Sequence, residues 1–137
     1  MKSVQQRSVV RWGLYLALLT SAACKSANVG TAKEDFQEFY QRFLTDSLFQ
    51  MERVQFPLPG ERVSADGEDT DYQWTKDEWI MLKEFDLDST QFKRDLQVTD
   101  TLVTDEIYTP GAGFYFKMVY EPIKRKWYLV YLVDQSL

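Results

Sequence analysis

The order of sequence periods predicts an α+β fold, N-terminal helices packed on one face of a curved antiparallel sheet in a cone-like arrangement. Apolar residues recur at helical spacing from Phe36 to Leu44, and a period of two takes over from Thr90 to the C-terminus. The 137-residue chain is 45% hydrophobic and 15% aromatic, which suits one compact domain.

The first 23 residues stand apart from that domain. Lys2, Arg7 and Arg11 form a positive segment, and the apolar run "WGLYLALL" (Trp12 to Leu19) leads to the small residues Thr20, Ser21, Ala22 and Ala23. This is the anatomy of an export signal, and the run is too short to span the ~30 Å hydrocarbon core of a bilayer as a helix. Cys24, the only cysteine, follows directly. The stretch "SAAC" resembles the lipobox of bacterial lipoproteins, in which the thiol is alkylated by diacylglycerol and the cysteine becomes the first mature residue; Ser21 stands where the usual pattern has Leu. The competing readings are a secretory peptide cut after Ala23 and a buried thiol acting as a small hydrophobe. The expected layout is a lipoprotein signal peptide over residues 1–23, a polar tether over 24–34 and the domain over 35–137. The expected location is the bacterial cell envelope, lipid-anchored, with the outer membrane the site in a Gram-negative cell. Two or three acyl chains anchor stably where one holds only marginally.

Within the domain, Phe36, Phe39, Tyr40, Phe43 and Leu44 lie on one face of a helix expected over residues 33–45. Asp46 or Ser47 can cap a second helix in "TDSLFQMERV", after which "RVQFPL" reads as extended and "SADGEDTD" (Ser64 to Asp71) as a turn or loop. Thr75 and Glu78 have capping-box spacing ahead of Trp79, Ile80 and Leu82, which predicts a third helix. Four antiparallel strands are expected in "FKRDLQV", "TLVTDEIYT", "GFYFKMVYEP" and "KWYLVYLVD", the last two joined as a hairpin through "EPIKRK". In the last strand Trp127, Leu129, Tyr131 and Val133 alternate with Tyr128, Val130 and Leu132, so both faces are apolar, as in a strand covered on both sides.

Composition removes whole classes of chemistry. There is no histidine, hence no imidazole base, no Ser-His or Cys-His pair and no imidazole metal ligand. One cysteine allows neither an internal disulfide nor a CxxC motif. The signal segment holds three basic residues and no acid, so the remainder carries 13 basic against 21 acidic residues, a net −8, and nucleic acid is not an expected partner. No motif requires a metal or cofactor. "DGEDTD" (Asp66 to Asp71) clusters acids around a glycine but lacks the spacing and final glutamate of an EF-hand loop, which favours a solvated turn. "KRK" (Lys124 to Lys126) reads as a charged hairpin tip that blunts an edge, with phosphate or lipid headgroups as the second reading.

The segments "FQEFYQRFLTDSLFQMERVQFPLPG", "WTKDEW" and "GFYFKMVYEPIKRKWYLVYLVD" together resemble an uncharacterised family of lipoproteins from anaerobic gut commensals with a nuclear-transport-factor-two-like, cystatin-like cone. The resemblance implies three helices against a bent sheet, a pocket between helices and concave sheet face, and pairing of two copies through the sheet. The aromatic residues placed to line such a pocket are Tyr40, Trp74, Trp79, Tyr108, Phe114, Phe116 and Trp127; ordinary core packing is the competing reading. No catalytic residue is assigned. Without histidine, catalysis in such a cone would resemble the Asp-plus-Tyr proton transfer of steroid isomerases, with Asp86, Asp95 or Asp105 as base and Tyr40, Tyr108 or Tyr115 as donor. The blander expectation is that these acids solvate strand edges. The sequence therefore favours a non-enzymatic envelope lipoprotein binding a small apolar ligand or a protein partner, the alternative being a His-free enzyme acting on a hydrophobic substrate.

Overall fold

The computed structural model describes residues 30–64, 66–85, 91–111 and 113–136. The signal segment, Cys24, most of the tether and Asp86 lie outside these residues. Two helices, α1 (Phe36–Thr45) and α2 (Ser47–Arg53), precede six strands: β1 (Leu58–Ser64), β2 (Gly67–Trp74), β3 (Lys93–Val98), β4 (Val103–Tyr108), β5 (Tyr115–Ile123) and β6 (Lys126–Gln135). They form one sheet in the order β2-β1-β6-β5-β4-β3.

Side chains set the helix boundaries. Asp35 caps α1 by accepting from the Glu38 N–H at 3.0 Å, and Asp46 caps α2 by accepting from the Phe49 N–H at 3.0 Å. The Asp46 N–H also closes α1 by donating to the Arg42 carbonyl. All five expected apolar residues of α1 are buried. The common target of the four aromatic ones is Tyr120 of β5, which is fully buried, with the rings of Phe36, Phe39, Tyr40 and Phe43 standing edge-on around it at 5.5–6.1 Å. Trp127 closes the cluster at its lower end against Phe36.

The sheet departs from expectation in four respects. First, there are six strands, because the acidic segment expected to be a loop is β2, paired antiparallel to β1 from Leu58↔Trp74 to Ser64↔Gly67. Second, β1 lies parallel to β6, so the sheet is antiparallel at every join but that one. Third, the third helix is absent: Thr75 does donate to Glu78 at 2.9 Å, but residues 76–78 form only a turn and 79–85 run as an irregular strap. The strap's polar groups are drawn to Gln50, a fully buried residue of α2. Its Oε1 accepts from the Trp79 Nε1–H and the Leu82 N–H, and its Nε2 donates to the Leu82 and Phe43 carbonyls. An N–H and C=O so engaged are lost to an i→i−4 ladder. Fourth, pairing slips between Val119↔Tyr131 and Tyr120↔Leu129, leaving Val130 as a bulge. The bulge moves the inward series from Trp127 and Leu129 to Leu132, while Tyr131 and Val133 face outward with their partners Val119 and Lys117.

Gly60 permits the parallel join. A Cβ there would lie 1.7 Å from the Leu132 carbonyl oxygen and 2.7 Å from the Trp74 ring, a backbone clash that no rotamer relieves. Gly60→Ala should therefore destabilise the protein by about 2–3 kcal/mol, as overpacking does, and loosen β1 and β2 selectively. Hydrogen exchange that rises in β1, β2 and the 75–85 strap but not at the β4–β5 pairing would show this.

The chain enters the fold through Glu34. Its carboxylate accepts from both Arg53 guanidinium nitrogens, at 2.8 and 2.9 Å, and from the Trp127 N–H at 2.9 Å; its carbonyl accepts from the Trp127 indole at 3.0 Å. Desolvation pushes the Glu34 pKa upward, but hydrogen bonds from Arg53 and Trp127 and the charges of Arg53 and Lys126 outweigh it, so the carboxyl sits below its usual 4.5. A depressed folded-state value contributes stability that is present above pH 4.5 and lost as pH falls through the folded value. Glu34→Gln should cost about 2 kcal/mol at neutral pH, the scale of hydrogen bonds to a charged group. Denaturant titrations should show that gap closing in acid; a gap independent of pH would contradict it.

Candidate functional site

Two concavities flank the aromatic core, and they differ in chemistry. The first, about 490 Å³, opens between the end of β2, the strap and the inner face of β5 and β6. Tyr72, Trp74, Trp79, Met81, Phe116 and Leu132 give it apolar walls, and Arg62, Glu78 and Asp134 line it with charge. Period-two alternation brings Tyr72 and Trp74 onto the same face of β2, their rings 4.7 Å apart and nearly perpendicular. Trp79 is held by its indole bond to Gln50 and by edge contact with Phe56 at 5.5 Å. Arg62 lies over the Tyr72 ring and donates to its hydroxyl at 2.9 Å. Few polar groups converging on apolar walls is the composition of a small-molecule site.

The second concavity, about 590 Å³, is an open groove between α1 and the edge strand β3, lined by Tyr40, Gln41, Leu44, Glu84, Arg94 and Leu96. Behind it sits Asp105, wholly buried on the inward face of β4. The Arg94 Nε and a terminal nitrogen donate to its two oxygens at 2.8 and 2.9 Å, and the Tyr40 hydroxyl donates to the second at 2.7 Å. Desolvation, then the charge of Asp105 and the hydrogen bond to it, holds the Tyr40 hydroxyl protonated far above its usual pKa. Tyr120 is likewise raised, mainly by burial, and donates to the Met118 sulfur at 3.1 Å.

The expected pocket residues are thus divided. Trp74, Trp79 and Phe116 meet in the first cleft, and Tyr40 lines the groove. Trp127 is core at the opposite end, Phe114 packs against Phe85 and Phe92, and Tyr108 is exposed on the outer sheet face. The volume between helices and concave sheet, where the resemblance implied a pocket, is filled by the rings around Tyr120. Among the acids, Asp95 is exposed as expected, whereas Asp105 is buried and paired, contrary to a solvating role. Tyr72, Arg62 and Asp134 are not singled out by the sequence, because the expected loop over Ser64 to Asp71 takes up most of the strand that ends in Tyr72 and Trp74, and the parallel join that sets Arg62 opposite Asp134 spans more than seventy residues. The outer face carries half-buried Tyr115, Val119, Tyr128 and Tyr131, with a Lys117–Glu106 ion pair at 2.8 Å and a Tyr131–Glu61 hydrogen bond at 2.9 Å.

Comparison with solved structures finds the same architecture in gut Bacteroides. A cystatin-like protein from Bacteroides caccae shares 22% identity over 79% of this chain and 84% of its own, with a TM-score of 0.58. An ntf2-like protein from Bacteroides fragilis shares 21% over 76% of this chain but 48% of its own (TM-score 0.54), and a protein from Bacteroides uniformis 22% over 77% and 79% (TM-score 0.52). No curated protein matches the chain. A family model described simply as "-like" matches residues 34–135, the greater part of the chain, and the protein belongs to that family, sharing the cystatin-like, ntf2-like cone of these relatives.

Proposed function

We propose that the protein is a cell-envelope lipoprotein, anchored through Cys24, whose cone domain is a non-enzymatic binding module for a small apolar ligand. The observation that carries the binding reading is the aromatic cleft: Tyr72, Trp74, Trp79 and Phe116 offer ring faces and edges in one concavity, with Arg62, Glu78 and Asp134 placed to orient a ligand by its polar end. The anchor reading is supported by the small residues before Cys24 and the charged and apolar segments ahead of them.

The chemistry of Asp105 weighs against catalysis. A base must present a lone pair to its substrate, yet Asp105 is wholly buried and accepts three hydrogen bonds, two from Arg94 and one from Tyr40, whose proton is directed at Asp105 and away from the groove. The trio is a structural tie between α1 and the sheet edge.

Titration with N-phenyl-1-naphthylamine, an apolar fluorescent probe, tests the cleft. Trp79→Ala should weaken binding about tenfold, the scale of losing one well-packed aromatic contact, while Leu48→Ala, on an exposed side chain of α2, should not alter it. Equal affinity in all three proteins would refute the assignment. For the anchor, Cys24→Ala should abolish metabolic acyl labelling and release the protein from membranes; continued membrane retention would refute it.

A further inference from the structure

The described fold is electrically polar along its strands, and the chain enters at the basic end. The Ala32 N–H donates to the Asp100 carbonyl in the β3–β4 turn at 3.1 Å, and the Lys33 N–H donates to the Arg125 carbonyl at the β5–β6 tip at 3.0 Å. The first bonded of the described residues therefore lie against two turns at one end of the sheet. Four exposed cations gather there, Lys33, Lys124, Arg125 and Lys126, and among the described residues none enters a salt bridge. Asp35, Asp100 and Glu121 are the acids nearby, since Glu34 is neutralised by Arg53. At the other end, reached along the ten residues of β6, the β1–β2 hairpin carries exposed Asp66, Glu68, Asp69 and Asp71.

The basic tip breaks a local rule. Lys124 and Arg125 are the two central residues of a two-residue hairpin, with φ of +49° and +69°. A turn with φ > 0 at both positions favours Asn-Gly, and L-residues with long side chains pay a backbone cost in that region. The sequence holds charge where turn propensity asks for asparagine and glycine.

Cys24 is eight residues before Ala32, so a fully extended tether reaches about 28 Å, no more than the domain's own diameter. We propose that the anchored domain stands upright on an anionic leaflet, with the Lys124–Arg125 tip against the lipid headgroups and the aromatic cleft turned toward solution. This rests on the anchor reading. Each cation near an anionic surface strengthens attraction roughly fivefold, and the acidic hairpin at the far end is repelled by the same surface, so one orientation is favoured although the domain as a whole is acidic.

The test couples the full chain chemically, at Cys24, to maleimide lipid in phosphatidylcholine vesicles with or without phosphatidylglycerol. Mass spectrometry then follows amine labelling of each lysine. On the anionic vesicles Lys33, Lys124 and Lys126 should be protected roughly fivefold or more, and Lys93, at the far end of β3, should not; raised salt should remove the protection. The variant K124N/R125G should lose most of the protection at Lys33 and Lys126 while melting at a higher temperature, which separates lost charge from lost folding. Both proteins carry the same residues 1–23, so their difference reads the tip alone. Equal labelling of both ends, protection of Lys93, or protection unchanged in the variant would overturn the proposal. Because the coupling is chemical, these outcomes do not depend on acylation of Cys24 in the cell, which the Cys24→Ala labelling experiment reads separately.

Discussion

Tyr120 is the constraint on which the rest of the domain is arranged. Four rings from about two turns of α1 converge on one side chain of β5, so the helix has one seat on the sheet and little freedom to slide along it. Apolar burial supplies the bulk of the stabilisation, but it is non-directional. Direction comes from polar ties at the margin of the cluster: Asp105 holds Tyr40 and the β3 edge, Glu34 holds α2 and the start of β6, and Gln50 holds the strap. In each case a buried or half-buried polar group has its partners on an element other than its own. Among the described residues no buried side-chain polar atom is left without one.

These ties mark the boundary of what the sequence makes legible. Local signals were sufficient for the apolar face of α1, the Asp46 cap of α2 and the four C-terminal strands, since caps and periodicity depend on residues within a turn or a pleat of each other; α1, expected from residue 33, starts instead at Phe36, where Asp35 caps it. The remainder depends on distant partners. Thr75 and Glu78 make their expected contact, yet Gln50, some thirty residues away, decides that no helix follows. β2 has almost no apolar alternation because it is an outermost strand, with Trp74 its one buried residue. The bulge at Val130 is hidden because both parities of β6 are apolar. One signal was available and was outweighed: in "VTDEI", Asp105 shares parity with Val103 and Ile107, which marks an acid on a buried face. Arg94 sits on the inward parity of the neighbouring strand to receive it.

The candidate cleft is made from the less legible part of the chain. Its walls are β2, the strap and the parallel join, set against Phe116 of β5, and none of its side chains is one of the rings about Tyr120. The cone core fixes α1, α2 and β4–β6, while the β1–β2 hairpin and the strap are added at its flank. Gly60 brings β1 close enough to β6 for Trp74 to lie over the join. The exposed part of that lining, Arg62, Glu78 and Ile80, can change without disturbing the core, whereas Trp74, Phe116 and Leu132 serve both the cleft and the core.

The same division explains why the buried ionisable groups do not point to catalysis. Active sites perturb titratable groups and leave them an open face toward substrate; here the perturbation accompanies closure. Tyr120 is sealed in the core, Tyr40 donates its hydroxyl hydrogen bond to Asp105, and Asp105 is buried against Arg94. In the cleft the order is reversed: the side chains that face open space are mostly aromatic and aliphatic, and Arg62 is held by Tyr72 at 2.9 Å. A surface of that kind can recognise a ligand by shape and by one oriented charge.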